Sequence, residues 1–439
     1  MAVVSPRSCL CIKSELDLFT VPPTQTSVEH GCTMDYHPVS TLTDNGPIEF
    51  NIPGSGEDYI DLTNTFLHLG VKITAANGAN IADDAAIGPV NLLMHSLFSQ
   101  VDVALNDKLI SSSTNTYAYR AYLETLLNYG KEAKESQLTS VMWYKDTSGK
   151  MDERAVAAAG ENRGLVKRAS FTQSSKVVDM MGRIHSDIFF QEKLLMNGIG
   201  VRVRLVRSKD SFSLVSADAA PTYKIKIVRA VLRARKVHIS DSVYMAHAKA
   251  LEHANATYPI RRVECKTFSI PTGNYDTIQE NLFMGQVPNR VIVGLVDTDA
   301  FNGSFAKNPY NFKNYKITDI SLKSDGQEQS GEPIKLDFTA GTIMEGYWSL
   351  LQTAGKVLKD ADIDISREDY VNGYSLFGWD LTPDLGEDDH FNLIKRGSLR
   401  LSIKFGEALP QTVNVIVYAE FQNVLEIDRN RNVFYDFTA

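Results

Sequence analysis

From Gly46 onward the dominant period of the chain is two. Val201, Val203 and Leu205 alternate with Arg202 and Arg204, and Leu399, Leu401, Ile403 and Phe405 alternate with Arg400, Ser402 and Lys404. Val413, Val415, Val417, Ala419 and Phe421 alternate with Asn414, Ile416, Tyr418, Glu420 and Gln422. Successive side chains of a strand point to opposite faces, so this pattern predicts strands with one buried and one wetter face. Gly, Pro, Asn and Asp punctuate the runs, and little helical pattern separates them. That favours sandwiches or barrels over βαβ units, and the expected class is mainly β.

Two helices interrupt the strands. Tyr119, Tyr122, Leu123, Leu126 and Leu127 fall on one helical face with Gly130 beyond as a stop; Met344, Tyr347, Trp348 and Leu351 repeat the spacing, with Gly355 beyond. A shift of 225 maps Tyr122, Leu123, Leu126 and Gly130 onto Tyr347, Trp348, Leu351 and Gly355. The flanks match too. Val101, Val103 and Leu105 lead to a turn at Asn106-Asp107, as Ile320 and Leu322 lead to Asp325-Gly326, a shift of 218 between the aspartates. Val201–Leu205 corresponds to Leu399–Ile403 at a shift of 198, and the long strand Tyr223–Val237 to Val413–Ile427 at a shift near 190. Drifting shifts mean loops of unequal length, which chains tolerate well.

The chain therefore reads as two tandem copies of one β-domain, residues 46–238 and 239–430, each with a helix inserted at the same place. Eight or so strands per copy suit a jelly-roll sandwich, because each sheet must bury one face against another. Residues 1–45 carry Pro6, Pro22, Pro23 and Pro38 and no sustained period; they read as an arm that orders only against a partner, with Leu16, Leu18, Phe19 and Val21 as candidate contacts, the alternative being a plain flexible tail. Residues 431–439 read as a C-terminal tail.

Composition narrows the function. With 43% hydrophobic and 22% charged residues, the 439-residue chain is neither disordered nor collagenous nor a coiled coil. Lys+Arg 45 against Asp+Glu 53 leaves a net charge of −8, which argues against a surface that grips nucleic acid everywhere. Cys9, Cys11, Cys32 and Cys265 show neither a disulfide framework nor a paired zinc motif. Arg7, Lys13, Glu15 and Asp17 interrupt any signal-peptide core, and apolar runs are far shorter than a membrane span. The expectation is a chain made inside the cell and kept reduced, with its sequons at Asn255 and Asn302 unused.

A duplicated jelly roll with a helix in each copy resembles the double jelly-roll major capsid proteins of double-stranded DNA viruses. Gly46-Pro47-Ile48-Glu49-Phe50, Tyr59-Ile60-Asp61-Leu62, Leu67-His68-Leu69 and the tail Glu426-Ile427-Asp428-Arg429-Asn430-Arg431-Asn432-Val433 are similar to hexon-like capsid proteins of the Polinton/Maverick and adintovirus type. The resemblance spans about residues 34–436. It implies a homotrimer forming a pseudo-hexameric capsomer, neighbouring capsomers in an icosahedral virion shell, a pentameric vertex (penton) protein, and packaged DNA as a weak non-specific neighbour. It also implies an outer crown of loops, for which Gly130–Ser175 is the candidate, the plainer alternative being an irregular connection with some helix at Glu153–Ala159.

Catalytic and cofactor signatures are absent: no GxxxxGK[ST], HExxH or GxSxG occurs. Asp297-Thr298-Asp299-Ala300-Phe301-Asn302-Gly303 superficially resembles a calcium loop, but its glycine is displaced and Asn308 stands where a bidentate Glu is wanted. Glu387-Asp388-Asp389-His390 reads as an acidic surface loop, and Glu57-Asp58 and Asp83-Asp84 as adjacent carboxylates on opposite strand faces. Lys224, Lys226, Arg229, Arg233, Arg235 and Lys236, with Arg202, Arg204 and Arg207, could neutralise phosphates if they face inward. Without interleaved aromatics, polar strand faces or ion pairs are the favoured reading. The expectation is thus a structural, non-enzymatic protein with no catalytic, cofactor or metal residue. The alternative from another class is a tandem β-sandwich that binds or cleaves carbohydrate.

Overall fold

A computed structural model describes residues 5, 7–111, 114–328, 332–385 and 390–435. The strand pairings divide into two sets. In the first, one sheet runs in the order Val28–Tyr36, Tyr223–Ile239, Tyr59–Ala75, Val178–Arg183, and the other in the order Ile48–Ile52, Val201–Arg207, Phe98–Leu105, Lys108–Leu109. In the second, the orders are Ala256–Ile270, Val413–Ile427, Arg290–Asp297, Leu376–Asp380, and Asp276–Gln279, Arg396–Phe405, Ile317–Ser324, Gln327–Glu328. Counted along the chain, both sets give principal strands 1-8-3-6 in one sheet and 2-7-4-5 in the other. These ladders are antiparallel. The protein is a double jelly roll: mainly β, two tandem sandwiches, each with an inserted helix.

Alternation explains the inner faces. Val201, Val203 and Leu205 are buried between exposed Arg202 and Arg204, and they lie beside Phe50, Ile52 and Val103 of the paired strands, also buried. The strand Val413–Ile427 departs from expectation, because Asn414, Ile416 and Tyr418 are buried as well. Its outer face is not wet: the first copy packs on it.

The helices form where the spacing places them, at Tyr117–Asn128 and Met344–Thr353. Gly355 closes the second with φ of +66°, the left-handed value that favours glycine. Gly130 does not play that part; its φ is −78° and it starts a further short helix, Lys131–Glu135. The phase of the second helix also differs. Leu350, Gly346 and Thr353 face inward, while Met344 and Trp348 are exposed.

Two segments carry more order than their sequence shows. Val28–Tyr36, inside the expected arm, pairs along Leu232–Ile239. Both of its faces are largely open to solvent, so no hydrophobic alternation marks it; backbone pairing and the Asp35–Arg233 ion pair at 3.0 Å hold it. In Gly130–Ser175 the main helix is Arg163–Thr172, not Glu153–Ala159. Asn162 caps it by accepting from the Leu165 N–H, whereas the Glu153 carboxylate takes the N–H groups of Arg154 and Ala155 in a turn.

Candidate functional site

The first helix is wedged between the copies. Tyr119 stacks on Phe301 at 5.6 Å, and Tyr122 on Tyr310 at 4.0 Å with rings 5° from parallel. Phe312 and Trp143 close the cluster, so one continuous core crosses from copy to copy. Aromatic pairs of this kind contribute about 0.5–1.5 kcal/mol each beyond burial.

Beside the rings lies a buried polar network. Arg120 donates through Nε to Glu124 at 2.9 Å and through a terminal nitrogen to Asp187 at 2.6 Å. His185 Nδ1 lies 2.5 Å from the other Glu124 oxygen. Two contacts cross to the second copy: the Val263 N–H donates to Asp187 at 3.3 Å, and the Tyr418 hydroxyl reaches Glu124 at 3.5 Å and Glu420 at 2.7 Å. Burial works to raise the Glu124 pKa, but Arg120 and His185 outweigh it and hold the carboxylate ionised. Burial likewise drives His95, which touches Tyr117 and lies edge-on to His185, toward its neutral form. A matched buried charge set specifies one arrangement more than it adds stability.

The Gly130–Ser175 stretch, the candidate for an outer loop, straps the copies together. Lys145 donates to Asp369 at 2.7 Å, Asn308 donates to Asp146 at 2.9 Å, and the Gly149 N–H to the Asn372 carbonyl at 2.8 Å. Lys134 donates to the carbonyls of Leu126 and Ile363 at 2.8 and 2.6 Å. Within the strap, Arg168 is buried and donates to Asp146 at 2.6 Å. A lone Arg and Asp 22 residues apart give no sequence signal of this.

The other residues singled out in the sequence fall apart in space. Asp297 accepts from Lys313 at 2.8 Å and from Tyr315 and Gln411, with Lys307 at 3.1 Å. Burial raises its pKa, these donors more than reverse that, and the carboxylate serves as the hub of an ion-pair cluster. Asn308 points away to Asp146. Asp58 pairs with His238 at 3.1 Å, and Asp83 accepts from Ser174. Glu387, Asp388 and Asp389 lie outside the described residues; His390 contacts Asp384 at 2.8 Å. Among the described residues no three His, Cys, Asp or Glu side chains converge as a metal site, and no helix is long and apolar enough to cross a membrane.

Most basic rows are neutralised within the chain. Arg202 meets Asp107 at 3.5 Å, Arg204 meets Glu49 at 3.2 Å, Arg207 meets Asp210 at 3.6 Å, and Arg235 meets Asp61 at 3.5 Å. Lys224, Lys226 and Arg229 make no ion pair among the described residues, and Lys226 sits directly across the ladder from Lys72. An open cleft of about 630 Å³ lies where the copies meet, lined by Arg120, Glu124, Phe190, Arg261, Tyr418 and Glu420 among others.

Strand order, inserted helices and the shared core together define the architectural class, and solved structures share it over nearly the whole chain. A chain of the Sputnik virophage particle aligns with TM-score 0.62 at 12% identity, covering 99% of this chain and 94% of that one. The Faustovirus major capsid protein gives 0.60 at 9% identity (96% and 93% covered), and the mavirus major capsid protein 0.56 at 12% identity (100% and 97%). By sequence, the uncharacterized protein F54H12.2 of Caenorhabditis elegans is 27% identical over 431 residues, spanning 95% of this chain and 99% of the nematode protein. No protein-family profile matches.

Proposed function

We propose that this chain is the major capsid protein of a double-stranded DNA virus, structural and non-enzymatic, acting in the virion. The observation that carries the reading is the near end-to-end likeness to capsid chains, at TM-scores of 0.56 to 0.62, in a chain whose two halves repeat one strand order. Three chains would form a pseudo-hexameric capsomer: a six-cornered lattice position filled by three identical subunits needs two similar units per subunit. A division near residues 46–238 and 239–430, with an N-terminal arm and a short tail, fits that geometry. The hexon-like Polinton/adintovirus type is the finer assignment, resting on the wording of Gly46–Phe50, Tyr59–Leu62 and the tail Glu426–Val433. Neighbouring capsomers, a pentameric vertex protein and packaged DNA complete the partners.

Light scattering on the purified chain, with negative-stain images of the same peak, tests the reading. The expected species is near 146 kDa, three times 48.8 kDa, with hexagonal outlines. A stable 48.8 kDa monomer at micromolar concentration would overturn it. The cleft between the copies favours a second reading, glycan binding, although Glu124 and Asp187 there are already engaged by Arg120. A glycan array checks it directly.

A further inference from the structure

The two helices carry the same apolar pattern, yet only one of them is covered. Tyr119, Tyr122 and Leu123 are buried; the first two stack on rings of the second copy. Shifted by 225, these positions become Met344, Tyr347 and Trp348. Met344 is 42% and Trp348 55% exposed, and Leu358 in the following loop is 96% exposed. Exposed large apolar groups clustered on one element mark a contact surface more often than an accident of composition.

The complementary face is uncovered as well. In the second copy, the outer side of the sheet containing Val413–Ile427 lies on the first helix: Tyr418 reaches Glu124, and Thr116 donates to the Cys265 carbonyl at 3.4 Å. The matching sheet of the first copy, containing Tyr223–Ile239, leaves its outer side open around Lys224, Lys226, Val228 and Arg229, whereas His68 and Val231 farther along are buried. There Val177 and Val228, 55% and 42% exposed, flank Gly70. A β-carbon on Gly70 would lie 3.5 Å from each valine and 3.2 Å from Arg229 Cβ, so the glycine forms the floor of a shallow apolar patch. Lys72, Lys226 and Arg229 border it. Like charges directly opposite on a ladder destabilise a sheet, and Lys72 and Lys226 are such a pair without a carboxylate partner among the described residues. The helix side carries both signs: Glu345 follows Met344 and Asp360 follows Leu358, with Lys356 and Lys359 flanking Leu358, while Asp362 is taken up by the Lys131 N–H within the chain.

We propose that the Met344/Trp348 face of the second helix docks on the Gly70 patch of the first-copy sheet of another chain. The contact repeats between chains the relation that joins the copies within one chain. It is heterologous, helix face to sheet face, and three repeats of a sixth-turn pair close a ring. Trp348 is the anchor, seated on the valines within cation–π reach of Arg229, and Glu345 and Asp360 answer Lys72 and Lys226. The inference rests on the capsomer reading and supplies its contact residues.

Complementary defects test it. Trp348→Asp disables the helix face alone; the triple change Lys72→Glu, Lys226→Glu, Arg229→Glu disables the sheet face alone. Each variant by itself should scatter as a 48.8 kDa monomer with unchanged circular dichroism. Mixed, they retain one good helix face and one good sheet face, so they should form a two-chain species of about 98 kDa, twice 48.8, that does not close. Trp348→Ala, which introduces no charge, should weaken the trimer at least tenfold in midpoint concentration if the anchor role holds. A wild-type trimer that Trp348→Asp leaves intact would overturn this contact while sparing the capsomer reading. A monomeric wild type would instead remove the capsomer reading itself. A charge-reversed trimer that has lost only its retention of duplex DNA would assign the patch to nucleic acid and overturn the proposal.

Discussion

Lys134 shows how a single side chain can report on the junction. It is buried, its ammonium lies 5.4 Å from the centre of the Trp143 ring, and its donors close the end of the first helix onto the second copy. Burial depresses its pKa from 10.5 to about 7, with Asp364 opposing the shift. Between pH 7 and about 10 the unfolded chain then holds a proton on this lysine that the folded chain has released. Stability therefore rises with pH across that window, the sign set by the unfolded state binding more protons. Lys134→Met removes this contribution while keeping the apolar stem. Melting wild type and variant side by side at pH 7 and pH 10 should show wild type gaining on the variant as pH rises. A constant gap would mean that Lys134 stays charged when folded. Nothing in the local sequence, Lys-Glu-Ala-Lys-Glu, distinguishes this lysine from Lys131, because its burial comes from Ile363, more than 200 residues away.

Among elements, legibility followed how many faces a strand or helix buries. Strands such as Val201–Arg207, one face in and one out, are written plainly in alternation. Val28–Tyr36 buries neither face well, so its membership of the first sheet is a matter of backbone pairing that composition does not record. Val413–Ile427 buries both faces over its first half; the alternation seen there was real, but the supposed wet side rests on the other copy. The second helix is harder to read: of its apolar stripe, Tyr347 and Leu351 are half-buried against the core while Met344 and Trp348 point outward, and the spacing alone does not tell these apart. Gly294 is the element-scale position with the sharpest expectation. It lies mid-strand in Arg290–Asp297, where a β-carbon would come within 2.5 Å of the Phe312 ring and 2.7 Å of Leu376. Gly294→Ala should cost about 1–3 kcal/mol, as overpacked cores do, read as a lower denaturant midpoint at unchanged slope.

For the whole molecule, the duplication and the fold class were legible, while the junction was not. Arg120 and Glu124 are a readable pair four apart on one helix, but Asp187, His185 and Tyr418 come from distant parts of both copies, and no spacing rule joins them to it. At this scale the N-terminal segment invites a direct test. Leu10, Ile12, Leu16, Leu18, Phe19 and Val21 are all exposed, whereas the first pairing strand begins at Val28. Deleting residues 1–24 should leave the thermal midpoint within about 2 °C of wild type, as surface changes usually do. Deleting residues 1–36 removes an edge strand along Tyr223–Ile239 and should lower the midpoint by several degrees.

The aromatic contact of Tyr119 and Tyr122 with Phe301 and Tyr310 has a mechanical corollary. Two sandwiches joined by a loop alone could hinge; two sharing one interior, with a strap bonded across them, cannot bend without tearing stacked rings apart. On the proposed capsid reading, each subunit is a stiff tile with a fixed dihedral built into its own sequence. In a closed shell of such tiles, the curvature that separates a flat facet from a vertex must be absorbed at the joints between tiles. Sequence change that tunes particle size would accordingly gather on exposed rims and leave the shared interior alone.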